Sequence, residues 1–437
     1  SFLLKQAGDH RELHSVPPRR SSDLQRPAGS GNSAGGGDSR VSVLEQNDGS
    51  IVASDPTGTY LYASWNVYFA SPFFMRNRMR CGQPFLPSND GGQQTYGSKN
   101  DCAYGSTNPK TEYDPAVQKF SIPVVVHILM HTNGNGAVSD AMVQSQIDIL
   151  NEDFMALPGT NGSPGTDCQV DFYLATVDPN GNATTGITRD TNNNWYNDSG
   201  NFKSALAWNT HKYFNIYTNT ASGYLGYAYL PQQGGIVGNS IDGVVCHWRA
   251  FGRNSPFGPP YNQGRTTTHE AGHYLGLWHT FDFGCGSTSS CYSTGDTICD
   301  TNRESGPVYG CPGNSNTCSS QDPFHNYMDY TNDICMWEFT EEQVNRMRCS
   351  MLYYRPDLYD VGGGSGSGAV SYCVSTANST GAAAVISHGG SLSVTANDLH
   401  LYCGPMPAFQ YGLFIFGPRS EERRVGQECR SWWSPYH

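Results

Sequence analysis

The run Thr268-His-Glu-Ala-Gly-His-Tyr-Leu-Gly-Leu-Trp-His279 leaves this chain few ways to fold. His269 and His273 stand one helical turn apart, so on a helix both imidazoles leave the same face and reach one ion. Continuing that helix would swing His279 about 240° around the axis from His273, out of reach of a shared metal. The helix must therefore stop, and Gly276 stands where a residue of positive φ ends it and turns the chain back. Three neutral imidazoles fill three of the four tetrahedral positions of zinc and leave one for water, as in a catalytic rather than a closed structural site. Glu270, beside the first ligand, is placed to take a proton from such a water.

Cysteine usage points to a compartment. Of 14 cysteines, seven fall between Cys285 and Cys349 in a Gly/Ser/Asn-rich stretch, where cross-links have to replace a core. An oxidising, extracytoplasmic location follows. The rival reading, a structural zinc knuckle, suffers because Cys285, Cys291, Cys299, Cys311 and Cys318 contain no CxxC pair. Cys429 lies in a foreign-looking tail, and the others are odd in number, so one thiol stays unpaired if the rest pair. Cys81 is the expected one, with a Cys81 to Cys102 disulfide as the alternative. Acidic residues outnumber basic ones 38 to 26 and no basic cluster interleaves with aromatics, which argues against nucleic acid as a partner. The longest apolar run, Ile122 to Met130, carries a histidine and falls short of the roughly 20 residues of a membrane span.

The ends, 1–24 and 419–437, resemble the two reading-frame translations of a sequencing-library adaptor and are set aside as artefact. Residues 25–117 read as a propeptide-like segment and linker. They comprise a Gly/Ser lead-in, aromatic residues from Ile51 to Phe74, the basic run Arg76, Arg78, Arg80, then Cys81-Gly82, and polar sequence from Ser88 to Pro115. Residues 118–358 are the expected catalytic domain, of mixed α/β class. Ile122–Met130 reads as a buried strand. Ser139 caps a helix with apolar positions Val143, Ile147, Leu150 and Phe154. Further strands are expected at Val170–Val177, Tyr213–Thr218 and Tyr224–Leu230, with a short helix at Phe202–Trp208. Thr340-Glu-Glu-Gln343 is a capping box opening a helix to Tyr354. Residues 359–369 read as a Gly/Ser linker and 370–418 as a truncated β-rich module. His127, His131 and His325 are expected to be hydrogen-bonded structural histidines.

The extended histidine run resembles the metzincin metallopeptidases, and Asn326-Tyr-Met-Asp-Tyr330 resembles their Met-turn, with Met328 as the floor beneath the metal. Asp296-Thr-Ile-Cys-Asp-Thr301, Phe339-Thr-Glu-Glu-Gln-Val-Asn-Arg-Met347 and Asp178-Pro-Asn-Gly-Asn-Ala-Thr-Thr-Gly-Ile-Thr-Arg189 are similar to the pappalysin family, including its ulilysin-like members. The likeness spans roughly Phe120 to Leu352. It implies an α/β (α+β) domain with a mixed twisted sheet, an active-site helix and a Met-turn. The function implied is that of a secreted zinc endopeptidase acting on protein or peptide substrates, with Glu270 as general base and Tyr330 bonded to the tetrahedral intermediate. Arg80-Cys81-Gly82 resembles a cysteine switch, in which Cys81 fills the open zinc position of a zymogen. The family resemblance also implies calcium on Asp296, Asp300 and Thr301, against which stands a merely solvated acidic loop. Asp329 or Asp333 would meet basic substrate residues. Two other classes stay open: a non-catalytic zinc-binding adhesive or scaffold protein, and a zinc hydrolase acting on bonds other than peptides.

Overall fold

A strand apolar at nearly every position, such as Phe120–Met130, has to be paired on both edges and covered on both faces. The computed structural model describes residues 41–84, 98, 100–361, 385–389 and 400–404. An antiparallel sheet of β1 (Ser42–Glu45), β2 (Ile51–Asp55) and β3 (Gly58–Tyr62) comes first, followed by α1 (Trp65–Phe69) and α2 (Pro72–Arg76). Ser71 caps α2 by accepting from the Phe74 amide, with Pro72 at the first helical position. A small hairpin, β4 (Cys102–Ala103) and β5 (Ser106–Thr107), leads into the main body. There the order is β6 (Phe120–Met130), α3 (Asp140–Phe154), β7 (Val170–Leu174), β8 (Ile187–Thr191), α4 (Asn193–Tyr196), α5 (Phe202–Leu206), β9 (Phe214–Asn219), β10 (Gly226–Ala228), β11 (Val244–His247), α6 (Arg265–Tyr274), α7 (Glu341–Tyr354) and β12 (Asp360–Val361).

These strands form one mixed sheet centred on β6. Along one edge β7 and then β8 pair with it in parallel. On the other edge β9 is parallel and β12 antiparallel. β11 continues parallel to β9, and β10 closes the sheet antiparallel. Side chains alternate across β6, as strand geometry requires. Ile122, Val124, Val126 and Ile128 enter the main core with Val143, Ile147, Leu150 and Phe154 of α3, Tyr274 of α6, and Val344 and Met347 of α7. Each such fully buried side chain stabilises the fold by about 1.5–3 kcal/mol. Leu129 faces the opposite side and joins a second, aromatic core, in which Trp65, Tyr68, Phe69, Phe73 and Phe74 pack on Tyr224, Leu225, Phe257 and Tyr261. The segment ahead of Cys81 is thus a folded cover with its own sheet and helices.

Several expectations need correction. The strand expected at Tyr224–Leu230 shrinks to β10, and the one at Val170–Val177 ends at Leu174, where Ala175 turns its amide to Val124 and Val177 bridges Ala183. The Ser88–Pro115 linker is not solvated throughout, since Asp101 accepts from Tyr113, Lys110 and Asn108, and Cys102 is bonded to Cys349. Of the 359–369 linker, Asp360 and Val361 belong to the sheet. Cysteine bookkeeping also changes. The described disulfides are Cys102–Cys349, Cys285–Cys318, Cys291–Cys299 and Cys311–Cys335. That pairing removes both the zinc knuckle and the Cys81 to Cys102 bond. Cys168 and Cys246 are free and buried alongside Cys81. Of the module at 370–418, an antiparallel pair, β13 (Val385–Gly389) with β14 (His400–Gly404), is described. The remainder of 362–418 and both adaptor-like ends lie outside the described residues.

Candidate metal centre

Helix α6 is buried along its whole length. A buried ion pair between Arg265 and Asp153 at 2.9 Å anchors its first turn. Thr268 donates to the same carboxylate at 2.6 Å. At the other end the Gly276 amide bonds the His273 carbonyl and the Leu277 amide reaches the Gly272 carbonyl, which is the Schellman arrangement. Gly276 adopts φ 102°. A Cβ there would meet Ser350 Oγ and Gln232 Nε2, so both conformation and space require glycine. The chain doubles back and His279 returns to the other two rings.

Every imidazole is oriented through its Nδ1. For His269 the partner is the Tyr327 carbonyl at 2.6 Å, for His273 the Leu277 carbonyl at 2.7 Å, and for His279 the Asp282 carboxylate at 3.0 Å. With the proton at Nδ1 on each ring, the Nε2 lone pairs turn inward. Nε2 of His269 is buried without a hydrogen-bond partner, and those of His273 and His279 face each other at 3.0 Å. Two unprotonated nitrogens so close repel one another, and a cation between them removes the conflict. Cys81 Sγ completes the group, with all four donor atoms within 4.8 Å of one another. Burial above all, then the neighbouring rings, holds His269 and His273 well below the usual histidine range, hence neutral and ready to ligate. The donor set of three nitrogens and one sulfur fits zinc.

Glu270 lies fully buried beside this group, 3.4 Å from Cys81 Sγ, with Oε1 unpartnered. Burial pushes its carboxyl up to about 8, while the Cys81 hydrogen bond and the Arg80 charge pull it down. A Cβ on Gly226 would come 2.7 Å from Glu270 Cγ, so β10 closes over the carboxylate. The Tyr330 hydroxyl stands 3.3 Å from His279 Nε2 and 3.4 Å from the Cys81 carbonyl. Met328, also fully buried, packs its sulfur against Gly272 on the underside of α6.

Arg80 is fully buried next to the centre. Its guanidinium donates to Thr266 at 3.0 Å, lies 3.6 Å from Asp333 and stacks on Tyr261. Asp329, by contrast, accepts from the Val308 amide and shares its surroundings with Glu304. Asp296 accepts from Thr301 at 2.7 Å, and Asp300 accepts from the Glu342 amide in the first turn of α7. Sequence reasoning missed Asp282, although its place three residues beyond His279 was a usable signal. It also missed Glu304, which carries no local pattern. His127, His131 and His325 each engage local partners through ring nitrogens.

Comparison with known proteins agrees. The profile of the pregnancy-associated plasma protein-A peptidases matches residues 186–352. An extracellular metalloprotease of Verticillium alfalfae is 36% identical over 54% of this chain and 77% of that protein. One from Pyricularia oryzae is 33% identical over 54% of this chain and 76% of its own length. The chain belongs to the pappalysin family. Among solved structures, mirolysin in complex with a small compound is 38% identical, covering 56% of this chain and 99% of that one, at a TM-score of 0.46. A promirolysin mutant from Tannerella forsythia is 36% identical, covering 56% and 87%, at 0.47. As a pappalysin-family metzincin this protein is a zinc metalloendopeptidase, and the scaffold reading falls away. No helix among the described residues is long and apolar enough to cross a membrane.

Proposed function

We propose that the chain is a secreted zinc endopeptidase made as a latent zymogen, with zinc held by His269, His273 and His279 and with Glu270 as general base. One observation carries this reading: the three histidines and Cys81 bring one donor atom each within 4.8 Å of one another, and the buried Glu270 carboxylate lies 3.4 Å from the Cys81 sulfur. Zinc, when bound, polarises the scissile carbonyl and acidifies water. Glu270 takes a proton from the attacking water and returns it to the leaving nitrogen. Tyr330 donates to the oxygen that gains charge. Met328 serves as the Met-turn floor. Secretion accords with relatives named extracellular and with four disulfides among the described residues.

Latency rests on Cys81, the fourth donor atom of the group, which excludes water from the open position. The folded cover ahead of it holds the thiol in place. Arg80 beside it fills the space that a basic substrate side chain would take, so Asp333 rather than Asp329 is the proposed specificity residue. We also propose a calcium site around Asp296, Thr301, Glu304 and Asp329. Buried oxygens without partners on Glu304 and Asp329 support it, since uncompensated carboxylates in a core call for a hard cation. Asp300 drops from that set because it caps α7.

The test is zinc stoichiometry and peptide cleavage for the full chain, Cys81→Ala and Glu270→Ala. Cys81→Ala should cleave without proteolytic activation, and Glu270→Ala should bind zinc and lose cleavage by orders of magnitude. Turnover by Glu270→Ala at the parent rate would end the mechanism.

A further inference from the structure

The hairpin β4–β5 and the turn after it form a strap on the back of the metal centre. Asp101, Cys102, Thr107 and Tyr113 are buried in it. Cys102 is bonded to Cys349 of α7. Trp278, the residue before the third histidine, donates to the Tyr104 carbonyl at 3.0 Å and packs edge-on against that ring. On α7, one turn before Cys349, Arg346 is fully buried. Its Nε donates to the Gly276 carbonyl at 2.7 Å. The other end of the guanidinium is held by strap oxygens, those of Ala103 at 2.9 Å, Ser106 at 3.3 Å and the Thr107 hydroxyl, together with Thr297 at 2.6 Å. Gln232 bridges the Cys102 carbonyl, the Gly276 carbonyl and Ser350 in the same way.

Gly276 is where α6 stops and the chain turns to deliver His279. Its carbonyl is thus gripped by a planar donor whose own orientation comes from the strap. We infer that Arg346 is a positioning residue for the third imidazole, and that the strap from Asp101 to Gln118 stays in the mature enzyme to orient it. Removing the strap would leave Nη2 without its acceptor and Nη1 with Thr297 alone, so the guanidinium would lose the contacts that fix its plane. It would also expose Cys349 as an unpaired thiol and strip Arg348 of the Tyr113 and Gln118 carbonyls. Maturation therefore cuts upstream of Asp101. A ligand held by a rigid turn binds metal more tightly than one that samples several positions, the same reason outer partners of ligating histidines matter.

The inference rests on the three-histidine zinc reading above, and the test separates the two. All variants carry Cys81→Ala, so that the imidazoles alone retain the metal. The rate of zinc transfer to a chromophoric chelator is measured for this parent, for Arg346→Lys, and for Cys102→Ser with Cys349→Ser. Thermal midpoints are taken with and without zinc. Both variants should release zinc at least tenfold faster and show a smaller zinc-dependent rise in midpoint, with kcat falling more than KM rises. Should the double variant fail to fold, Arg346→Lys, which keeps the charge and one reach to Gly276, decides alone. Release at the parent rate with only a lower zinc-free midpoint would make Arg346 merely structural and overturn the inference. A parent that binds no zinc overturns the site reading as well. Mass spectrometry of the active species should find residues 101–118 intact, and full zinc affinity in a form beginning after Tyr113 would contradict it.

Discussion

Two polar clusters lie buried in the catalytic domain, and the fold treats them in opposite ways. The histidine cluster is anchored ring by ring, because each Nδ1 proton has its own acceptor and burial keeps His269 and His273 neutral, which leaves the inward Nε2 atoms for a cation to join. The acidic cluster differs. Burial, and the charge of Asp329, push Glu304 up to about 9, and burial pushes Asp329 and Asp296 up to about 7. Glu304 and Asp329 each keep an oxygen with no partner. The first cluster is preorganised for chemistry on something brought to it, while the second needs protons or a cation simply to stay folded. Changes in the first should therefore strike turnover and spare stability, and changes in the second should do the reverse.

The largest effect should come from Glu270→Ala, which removes the proposed general base while leaving all three Nδ1 anchors. Cleavage should drop by about 10²–10⁴ at unchanged zinc content. Loss of zinc in parallel with activity would break the comparison, because the carboxylate would then be holding the metal site together. Tyr330→Phe keeps the ring packed against His279 and deletes one donor. A loss on the order of 10² in kcat with little change in KM is the expected signature of a bond made to the transition state. Asp333→Asn should weaken the preference for basic residues by about tenfold, the scale of one charge-assisted hydrogen bond. Cleavage-site profiling of the matured enzyme reads it directly, and an unchanged profile would leave the buried Arg80 as a purely structural anchor.

The histidine cluster was legible because its information is local. Two ligands share a helix face, a glycine ends the helix, and the third follows at a distance fixed by the turn, so spacing alone implies the geometry. The central strand and α3 were legible for a similar reason, the period of Val143, Ile147, Leu150 and Phe154 being visible in a short window. Other features depend on residues far apart in sequence. Glu304, Asp329 and Asp296 come from irregular loops, and no period links them. Arg346 sits in an ordinary helical pattern, yet its partners at Ala103 and Ser106 lie over two hundred residues away. Asp300 could not be placed from sequence, because one acidic side chain in a loop serves equally well as a cation ligand or a helix cap, and its contact with the Glu342 amide is visible only in the fold.

The smallest expected effect bears on the acidic cluster and gives the comparison its sharpest edge. A carboxyl whose folded pKa lies above its unfolded value adds stability that is fully present below the unfolded pKa, near 4, and is lost as pH rises through the folded one. For Asp296 and Asp329 that loss runs up to about pH 7, and for Glu304 to about 9. Protein stripped of calcium should therefore melt progressively lower between pH 5 and pH 8 by way of these groups. Glu304→Gln, which cannot ionise, should flatten that slope. Calcium reverses the preference, since it binds the ionised carboxylates, so saturating calcium should raise the midpoint more at pH 8 than at pH 5. For a domain of the size of residues 118–358 each kcal/mol corresponds to roughly 2–4 °C, within reach of a melting curve taken at several pH values. Equal calcium shifts at both pH values, or none, would mean that the buried carboxylates are satisfied by protons alone, and the calcium proposal would go while the zinc centre stood.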